Sequence, residues 1–495
     1  MPSPAPHQFV GDQRDWRGRW WGVLAICVLL LVPCFWHPHI EAGDLASHVY
    51  NAWLAQQIER GKAPGLYLVR QWHNVLFDVA LTHVGTLLGW PAAEKIVVGA
   101  SVLIFFWGAF AFLSAVAKRR PFELAPALAI LAYGWTFEAG FLNYYISLGL
   151  AFLSLALLWR GKSWKRAAGA ALLPVMWLAH PLGLIWLVAA LGYILIREKI
   201  SGWYRLSLPV ACVLALGIVH WQIVRRFPND VDWPEAPFYL FNGADQMVLF
   251  GKRYAFLAAA VFFFSLGVFV YAALRRLKKE DWRVVSLPLE MYIVALCAAA
   301  LLPQDLTTNF SPVPMGLLVS RMTAVSAVLG LCVLACLRAG KWAFEVLAVF
   351  AIVFFAFLYQ DTATLNRLEA NARELVSKLP PEQRVLAVID APQDSRLPFI
   401  NHTVDRACID RCYSYGNYEP ASEAFRVRVY EGSPVATADA DDAERMASGE
   451  YKVRQEDLPI FEIFQCNPSD PYTLCIRQLA AGKLNARPAH PPPSP

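Results

Sequence analysis

The feature that most constrains the fold is a series of long apolar segments along the first 360 residues. Each is close to the roughly 20 residues that a helix needs to cross a bilayer. With 57% hydrophobic and 17% charged residues, the chain is too apolar for a soluble protein of this size. The sequence predicts an all-α polytopic membrane protein with about eleven transmembrane helices. The predicted spans cover residues 20–36, 94–117, 122–138, 141–159, 167–180, 182–196, 206–224, 254–274, 284–302, 315–337 and 342–359.

The distribution of basic residues predicts the orientation of these spans. Arginine and lysine are concentrated in the loops on the N-terminal side of the membrane, as in the cytoplasmic loops of membrane proteins. We therefore expect residues 1–19 to be a cytoplasmic tail, residues 20–360 to be the transmembrane domain and residues 361–495 to lie outside. This orientation is predicted for a multipass protein of a bacterial inner or plasma membrane. The net charge of +5 gives no support for nucleic-acid binding, because the basic residues belong to short membrane loops.

The exterior tail is expected to hold a small α/β domain. Residues 365–379 have the pattern of an exposed helix, and residues 384–389 have that of a short strand. Four cysteines in an exterior domain favour two disulfides, because that compartment is oxidising. The alternative is a four-cysteine zinc site, which the wide spacing of the second cysteine pair disfavours. The four candidates are Cys408, Cys412, Cys466 and Cys475.

The first outer loop, residues 37–93, carries a group of polar residues directly after the first span. Asp44 is a good N-cap residue, and a helix beginning there places His48 and Asn51 on the same side as Asp44. The apolar face of that helix is predicted to lie along the bilayer interface. Residues 74–90 are interpreted as an interfacial or re-entrant helix, because counting them as a span inverts the charge pattern of every later loop. A carboxylate beside a histidine suits an enzyme acting on a lipid-linked substrate, and an ordinary capped interfacial helix is the alternative.

Further charged and polar candidates lie at the outer ends of later spans. Glu138 is in the short turn between the third and fourth spans, and Arg321 is in the outer half of the tenth. Ionisable groups at membrane depth are costly and are usually functional, and the forked donors of arginine suit a phosphate. The alternatives are a helix-end carboxylate that reaches water and an ion pair of Arg321 with Asp305 or Glu138. His180 is a weaker candidate because a histidine before a proline at a turn is often structural, and Arg225 is weaker because basic loop residues commonly contact lipid headgroups.

The sequence also offers a candidate metal site and excludes several enzyme classes. Asp230, Asp232 and Glu235 include an Asp-x-Asp pair of the kind that can hold a divalent metal, although acidic loop residues are usually solvated. No nucleotide-binding P-loop, dinucleotide-binding glycine pattern, zinc-protease helix or serine elbow is present in the sequence. ATP-driven transport therefore has no support within this chain.

Together, these features resemble the GT-C superfamily of integral-membrane glycosyltransferases, with a layout related to the protein mannosyltransferase and aminoarabinose transferase families. The resemblance depends on residues 41–48 after the first span, on residues 72–90, on Glu138 and more loosely on Arg321. It implies an inverting enzyme that moves a hexosyl or pentosyl group from a polyprenyl-phosphate carrier at the outer face of the membrane. The implied acceptor is a hydroxyl of a lipid, a glycan or a protein, and the other expected partners are membrane lipids.

The resemblance also implies roles for individual residues. Asp44 would be the general base that takes the proton of the acceptor, with Glu41 as the alternative base. Glu138 would orient the acceptor or, together with Asp44, hold a divalent metal ion if the reaction needs one. Arg321 would neutralise the phosphate that remains on the departing carrier. The other implied substrate contacts are His48, Asn51, His180 and Arg225.

One departure and two competing interpretations leave the function open. Two residues separate Glu41 from Asp44, whereas the family carries a more compact acidic pair, so the base and any metal site stay undecided. A secondary transporter or flippase is the first competitor, and a non-catalytic membrane assembly protein is the second. A transporter predicts internal repeats and charges near the membrane midplane. The sequence has no clear repeat, and its candidate acids lie at outer helix ends.

Overall fold

A computed structural model describes residues 16–227, 231–233, 242–275, 279–308, 311–337, 341–389, 395–397, 402–422, 424–467, 470 and 472–483. The helices are α1 Trp16–Phe35, α2 Leu45–Glu59, α3 Leu76–Leu88, α4 Trp90–Ala117, α5 Ala125–Ala132, α6 Trp135–Glu138, α7 Leu142–Arg160, α8 Ser163–Ala171, α9 Leu173–Ala179, α10 Pro181–Lys199, α11 Ser207–Arg226, α12 Gly251–Arg275, α13 Lys279–Leu301, α14 Leu318–Cys336, α15 Lys341–Ser377, α16 Thr403–Ala407, α17 Tyr418–Ala421 and α18 Ala440–Ser448. The strands are β1 Leu66–Leu68, β2 Val231–Asp232, β3 Asp305–Thr308, β4 Ser311–Met315, β5 Gln383–Val388, β6 Cys412–Ser414, β7 Val427–Val429, β8 Ile460–Gln465 and β9 Leu474–Gln478.

Within these ranges, eight helices are long and apolar enough to cross a membrane: α4, α7 and α10 to α15. The prediction of a polytopic membrane protein is confirmed at this level. The other three predicted spans are not among these eight. Residues 20–36 fall on α1, whose apolar part is limited to Trp21–Phe35, residues 122–138 fall on the short helices α5 and α6, and residues 167–180 fall on the short helices α8 and α9. Helices α5 and α6 are separate because Gly134 between them has an extended backbone. The total of eleven spans stays a prediction.

The centre of the membrane region is the contact between α4 and α7. Gly108 of α4 faces Gly149 of α7 so closely that a Cβ atom on Gly108 would lie 2.0 Å from the Gly149 carbonyl oxygen. Small residues are what allow two helices in a membrane to approach to this distance. Phe105 stacks on Tyr145 in the same contact, with ring centroids 4.5 Å apart. The contact fixes α7, and with it the short outer turn that precedes α7.

The tail begins as a direct continuation of the last candidate span, because α15 runs over 37 residues. The prediction of a separate exposed helix at residues 365–379 is therefore wrong, and Leu368 and Ala372 are buried. The strand expected at residues 384–389 is present as β5. It lies parallel to β6 and β8, and β9 adds an antiparallel edge in the order β6–β5–β8–β9.

The tail is joined to the first outer loop by strand pairing. Strand β1 of the loop pairs antiparallel with β7 of the tail, so that Leu66 lies opposite Val429. The four tail cysteines form two local disulfides, Cys408 with Cys412 and Cys466 with Cys475. The two parts, more than 350 residues apart in sequence, form one continuous structure.

Helix α2 is buried inside this structure. The prediction that its apolar face lies along the bilayer is wrong, because Leu45, Val49 and Trp53 are each at most 5% exposed and belong to the main hydrophobic core. Helix α3, helix α16 and strand β7 pack around it. The polar residues at its start therefore lie in a protein interior, where electrostatic interactions are stronger than in water.

Candidate active site at the outer end of the spans

Asp44 occupies the N-cap position of α2 without capping it. Its backbone is in the right-handed helical region, and its carboxylate accepts no bond from the first turn. The backbone holds it instead: the Gly43 N–H donates to the Glu138 carbonyl at 2.7 Å, and the Asp44 N–H donates to the Ala139 carbonyl at 3.2 Å. A Cβ atom on Gly140 would lie 2.3 Å from the Asp44 nitrogen. The first and second outer loops thus meet backbone to backbone, with the Asp44 carboxylate free of the helix.

A tail histidine that sequence reasoning missed lies beside Asp44. The Nε2 atom of His402 is 3.7 Å from the Asp44 Oδ1 atom, and its Nδ1 atom is 2.9 Å from the Asp405 Oδ2 atom. The Ser414 hydroxyl donates to the other oxygen of Asp405. Burial opposes the charged imidazole, but Asp405 and then Asp44 raise the pKa of His402 above its usual value. The site therefore pairs a loop carboxylate with a histidine held by the tail.

Glu138 is the last residue of α6, and its carbonyl accepts the N–H of Gly43, the residue before Asp44. Its side chain is 2% exposed, and its Oε2 atom is buried without a hydrogen-bond partner among the described residues. The expectation of a helix-end carboxylate that reaches water is therefore wrong for this residue. A buried carboxyl oxygen without a partner lowers the stability of the fold, and this cost makes Glu138 a candidate functional residue.

Arg321 approaches the same region from the first turn of α14. Its guanidinium carbon lies 4.0 Å from the centroid of the Phe141 ring, and its Nε atom is buried without a partner among the described residues. Among the described residues, Arg321 and Asp305 form no ion pair within 4.0 Å; the Asp305 Oδ1 atom accepts the Leu317 N–H at 2.8 Å. Asp44 is close enough to Arg321 to act on it electrostatically. The cation therefore faces the site with donor capacity left over.

Gln246, another residue that the sequence did not single out, links the elements that carry Glu138 and Arg321. Its side-chain oxygen accepts from both the N–H and the hydroxyl of Thr136 in α6, at 3.0 and 2.9 Å. Its amide donates to the Ser320 carbonyl at 3.0 Å and to the Thr323 hydroxyl at 2.8 Å in α14. All four bonds are short enough to hold the start of α14 against α6.

A second tail residue, Arg396, lies on the other side of this linkage. Its Nη1 atom donates to the Asp245 carbonyl at 3.0 Å, and its guanidinium lies 5.9 Å from the centroid of the Trp135 ring. Burial raises the pKa of the Asp245 carboxyl to about 6, although the Thr323 hydroxyl bond lowers it. The tail therefore contributes a cation to the region as well as a histidine.

An apolar cavity of about 540 Å³ opens beside the same turn. Asn242 and Ala244 line it at the end nearest Gln246, and Ala327 and Leu334 of α14 line it further along. Ala327 follows Arg321 by six residues, or about 9 Å along the helix axis. The remaining lining is mostly aliphatic and aromatic side chains of α5, α12 and α13. The cavity suits a hydrocarbon chain whose polar end lies near the start of α14.

Glu41 is part of a buried charge cluster rather than of the Asp44 site. Its Oε2 atom lies 3.3 Å from the Nη2 atom of Arg406, which also binds Glu369 at 2.5 Å, and the Nη1 atom of Arg406 binds Glu94 at 2.9 Å. Burial, followed by the Glu369 charge, raises the pKa of Glu41 to about 8. The cluster ties the first outer loop, α4, α15 and α16 together, and this placement makes Asp44 the better candidate base.

His48 and Asn51 are both occupied by protein partners. The His48 Nδ1 atom lies 2.7 Å from the Asp78 Oδ1 atom, and Asp78 also accepts from the Asn143 amide at 2.9 Å. Burial opposes protonation, but the Asp78 carboxylate raises the pKa of His48 to about 9. Asn51 exchanges hydrogen bonds with the Asn417 side chain, at 2.8 Å for the bond that Asn417 donates. Their placement suits holding α2 against α3 and the tail, instead of the predicted substrate contact.

Of the two weaker candidates, His180 borders the site and Arg225 does not. His180 caps α10 through its Nδ1 atom, which accepts the Leu182 N–H at 3.2 Å, and its ring lies 5.6 Å from that of Tyr144. The Tyr144 hydroxyl donates to the Arg321 carbonyl, so His180 borders the site. Arg225 is exposed at the end of α11, 5.3 Å from the centroid of the Trp221 ring. The contacts described for it do not reach the other candidates.

The described residues give little support for a metal site. Asp230 and Glu235 lie outside the described residues, and Asp232 is exposed. In the part of the chain that the structure describes, no three His, Cys, Asp or Glu side chains are grouped as metal ligands. Asp44 and Glu138 are two carboxylates without a third ligand, so we assign neither as a metal ligand.

Comparison with known proteins gives one structural likeness. No protein-family model matches the chain, and no curated protein matches its sequence. Among solved structures, the chain is similar to the crystal structure of ArnT from Cupriavidus metallidurans in the apo state. The two are 14% identical with a TM-score of 0.40, over 96% of this chain and 100% of that one. At this level of similarity, function has to be argued from the residues of the site.

Proposed function

We propose that the chain is a GT-C-type membrane glycosyltransferase that transfers a sugar from a polyprenyl-phosphate carrier to an acceptor hydroxyl at the outer face of the membrane. The observation that carries the proposal is the arrangement of three features along one side of the helices: the Asp44 carboxylate, the Arg321 cation with its buried, unpaired Nε atom, and an apolar cavity that α14 lines from Ala327 onwards. A lipid phosphate needs the cation and the cavity, and proton removal from a hydroxyl needs the carboxylate.

The proposed step is a single displacement with inversion. The acceptor O–H proton passes to Asp44 while the acceptor oxygen forms a bond to the anomeric carbon of the sugar. The bond from that carbon to the phosphate oxygen breaks, and its electron pair stays on the carrier phosphate. The negative charge that grows on this phosphate is stabilised by Arg321. Glu138, whose carbonyl accepts the N–H of the residue before Asp44, is the group proposed to orient the acceptor.

The competing functions have weaker support from the site. A transporter needs its charges near the membrane midplane between repeats, whereas Asp44 and Arg321 lie at outer helix ends. An assembly protein gives no reason for the unpaired buried atoms of Glu138 and Arg321.

The proposal is tested by incubating purified wild-type protein and the Asp44→Asn variant with a panel of polyprenyl-phosphate sugars and hydroxyl acceptors. We expect product from the wild type and a loss of at least about 10²-fold in kcat for the variant, since general-base catalysis contributes 10²–10⁴-fold. Matched thermal unfolding curves would show that both proteins are folded. Equal turnover would remove Asp44 as the base, and uptake of the sugar lipid into vesicles without transfer would favour a flippase.

A further inference from the structure

The tail of the chain reaches the reaction centre at His402. This residue is only 9% exposed, and it belongs to the segment that follows the last candidate span by more than 20 residues. Its ring has two distinct sides: Nδ1 is 2.9 Å from Asp405, and Nε2 is 3.7 Å from Asp44. The bond to Asp405 fixes both the orientation of the ring and the nitrogen that faces Asp44, as second carboxylates do for many functional histidines.

We propose that His402 is a positioning residue that acts through Asp44, holding the carboxylate in the orientation in which it takes the acceptor proton. The inference deepens the proposed function and rests on it. At 3.7 Å the contact is an ion pair rather than a hydrogen bond, so it keeps Asp44 in place and leaves its oxygens free to accept a proton. The atoms balance without any further reactant, because the proton that leaves the acceptor ends on Asp44.

The charges around His402 favour the imidazolium form. Asp405 faces the ring from α16, Asp44 faces it from the start of α2, and Glu419 of α17 is a third carboxylate near it. The Tyr418 ring lies 5.5 Å away, centroid to centroid. Arg321 is a second cation close enough to Asp44 to interact with it electrostatically. Glu419 is itself shifted, since burial raises its pKa to about 7. A cation beside a carboxylate stabilises the ionised carboxylate.

The pH dependence has a defined sign. The pKa of His402 is raised, so the imidazolium is lost only as pH rises through a value above the usual one for histidine. The contribution of the His402 cation to kcat should therefore disappear on the alkaline side of the pH profile. A variant without the imidazole should lack this alkaline fall.

The experiment compares His402→Gln with His83→Gln, a matched substitution at an exposed histidine that bonds only within its own helix in the described structure. For His402→Gln we expect kcat to fall roughly 10- to 100-fold, less than loss of the base itself, with the KM for the sugar lipid nearly unchanged. The fall of kcat on the alkaline side, where the wild type loses the His402 proton, should be absent from His402→Gln. His83→Gln should match the wild type in kcat and in its alkaline fall. A His402→Gln profile that coincides with that of His83→Gln would overturn the inference.

Two further measurements keep the inference testable if His402→Gln does not fold. Asp405→Asn keeps the imidazole but weakens its orientation, so kcat should fall while KM holds; unchanged kcat would count against the inference. The second measurement is an NMR titration of the protein labelled with ¹³C-histidine, which does not depend on activity. The His402 signal is identified by its change in the Asp405→Asn variant. The His402 pKa should drop in Asp44→Asn, and no change would show that the two residues are not coupled. A wild type without any transfer would defeat the proposed function alone, while the titration would still decide the coupling.

Discussion

The half-buried guanidinium of Arg321 is stabilised by the face of Phe141, and its Nε atom is buried without a partner among the described residues. Transfer of an arginine from water into a membrane region is costly unless an anion meets it. The cost is acceptable if a lipid phosphate is the partner during each turnover. The same reasoning explains why Asp44, with no cap bond and no direct hydrogen bond from His402, keeps its oxygens available.

We therefore predict that Arg321→Ala lowers kcat/KM for the polyprenyl-phosphate sugar by about 10²- to 10³-fold, the range for loss of a group that stabilises transition-state charge. Arg321→Lys should recover part of this loss, because charge is kept while the forked geometry is not. Arg60→Ala, at an exposed arginine after α2, is the control and should stay within about threefold of the wild type. An unaltered rate and KM for Arg321→Ala would make this residue a structural cation.

The element that decides the geometry of the site is the turn between α6 and α7. Gly140 has a φ of +84°, and a Cβ atom there would lie 2.3 Å from the Asp44 nitrogen. Both constraints come from the turn rather than from the helices around it. The turn therefore determines how close the first outer loop can approach.

The substitution Gly140→Ala should lower both stability and turnover, because the alanine must push the Asp44 backbone away as well as adopt a left-handed conformation. Gly61→Ala separates the two effects: its φ is +69°, but nothing lies within 4 Å of the added Cβ. We expect the control to lose about 1 kcal/mol of stability and to keep its kcat, and Gly140→Ala to lose more stability and at least about tenfold in kcat. Thermal unfolding and steady-state kinetics would measure this, and equal kcat in the two variants would contradict it.

At the scale of the whole molecule, the Arg406 cluster connects the membrane region to the tail. It joins the first outer loop through Glu41, α4 through Glu94 and α15 through Glu369. Removal of one partner from such a buried group leaves uncompensated charge, which typically costs 3–5 kcal/mol. We expect Arg406→Gln to destabilise the protein strongly at every pH.

Glu41→Gln should behave differently. The pKa of Glu41 is raised to about 8 from 4.5 by burial and by Glu369, so between these values the folded state holds a proton that the unfolded state has lost. Its contribution to stability is present at low pH and disappears as pH rises through about 8. Glutamine cannot titrate, so the variant should lose less stability than the wild type between pH 5 and pH 8.5, a range of about 3.5 units. Melting temperatures of the wild type and of Glu41→Gln that fall equally with pH across this range would contradict the raised pKa of Glu41.

The sequence predicted the membrane class and singled out Asp44, Glu138 and Arg321 as candidates, because span length and charge at membrane depth are local signals. It did not predict His402, Arg396 or Arg406, since their neighbours lie far away in the chain and nothing local marks them. Helix α2 was misplaced for a related reason: an apolar face indicates burial but does not say whether lipid or protein covers it. Glu41 looked like a base because its arginine partner lies 365 residues later.

The continuous helix α15 has a mechanical consequence. At 1.5 Å per residue its 37 residues extend about 55 Å, well beyond the roughly 30 Å of a bilayer core. Asn366 on its outer part bonds the backbone of His39 at 3.0 Å, and Glu369, one turn further, holds Arg406. The helix is a rigid spacer that sets the height of the tail above the lipid and its rotation about the helix axis. One residue inserted into α15 would rotate the residues after it by about 100° about the helix axis. The length of this single helix therefore determines how the tail is positioned relative to the last candidate span.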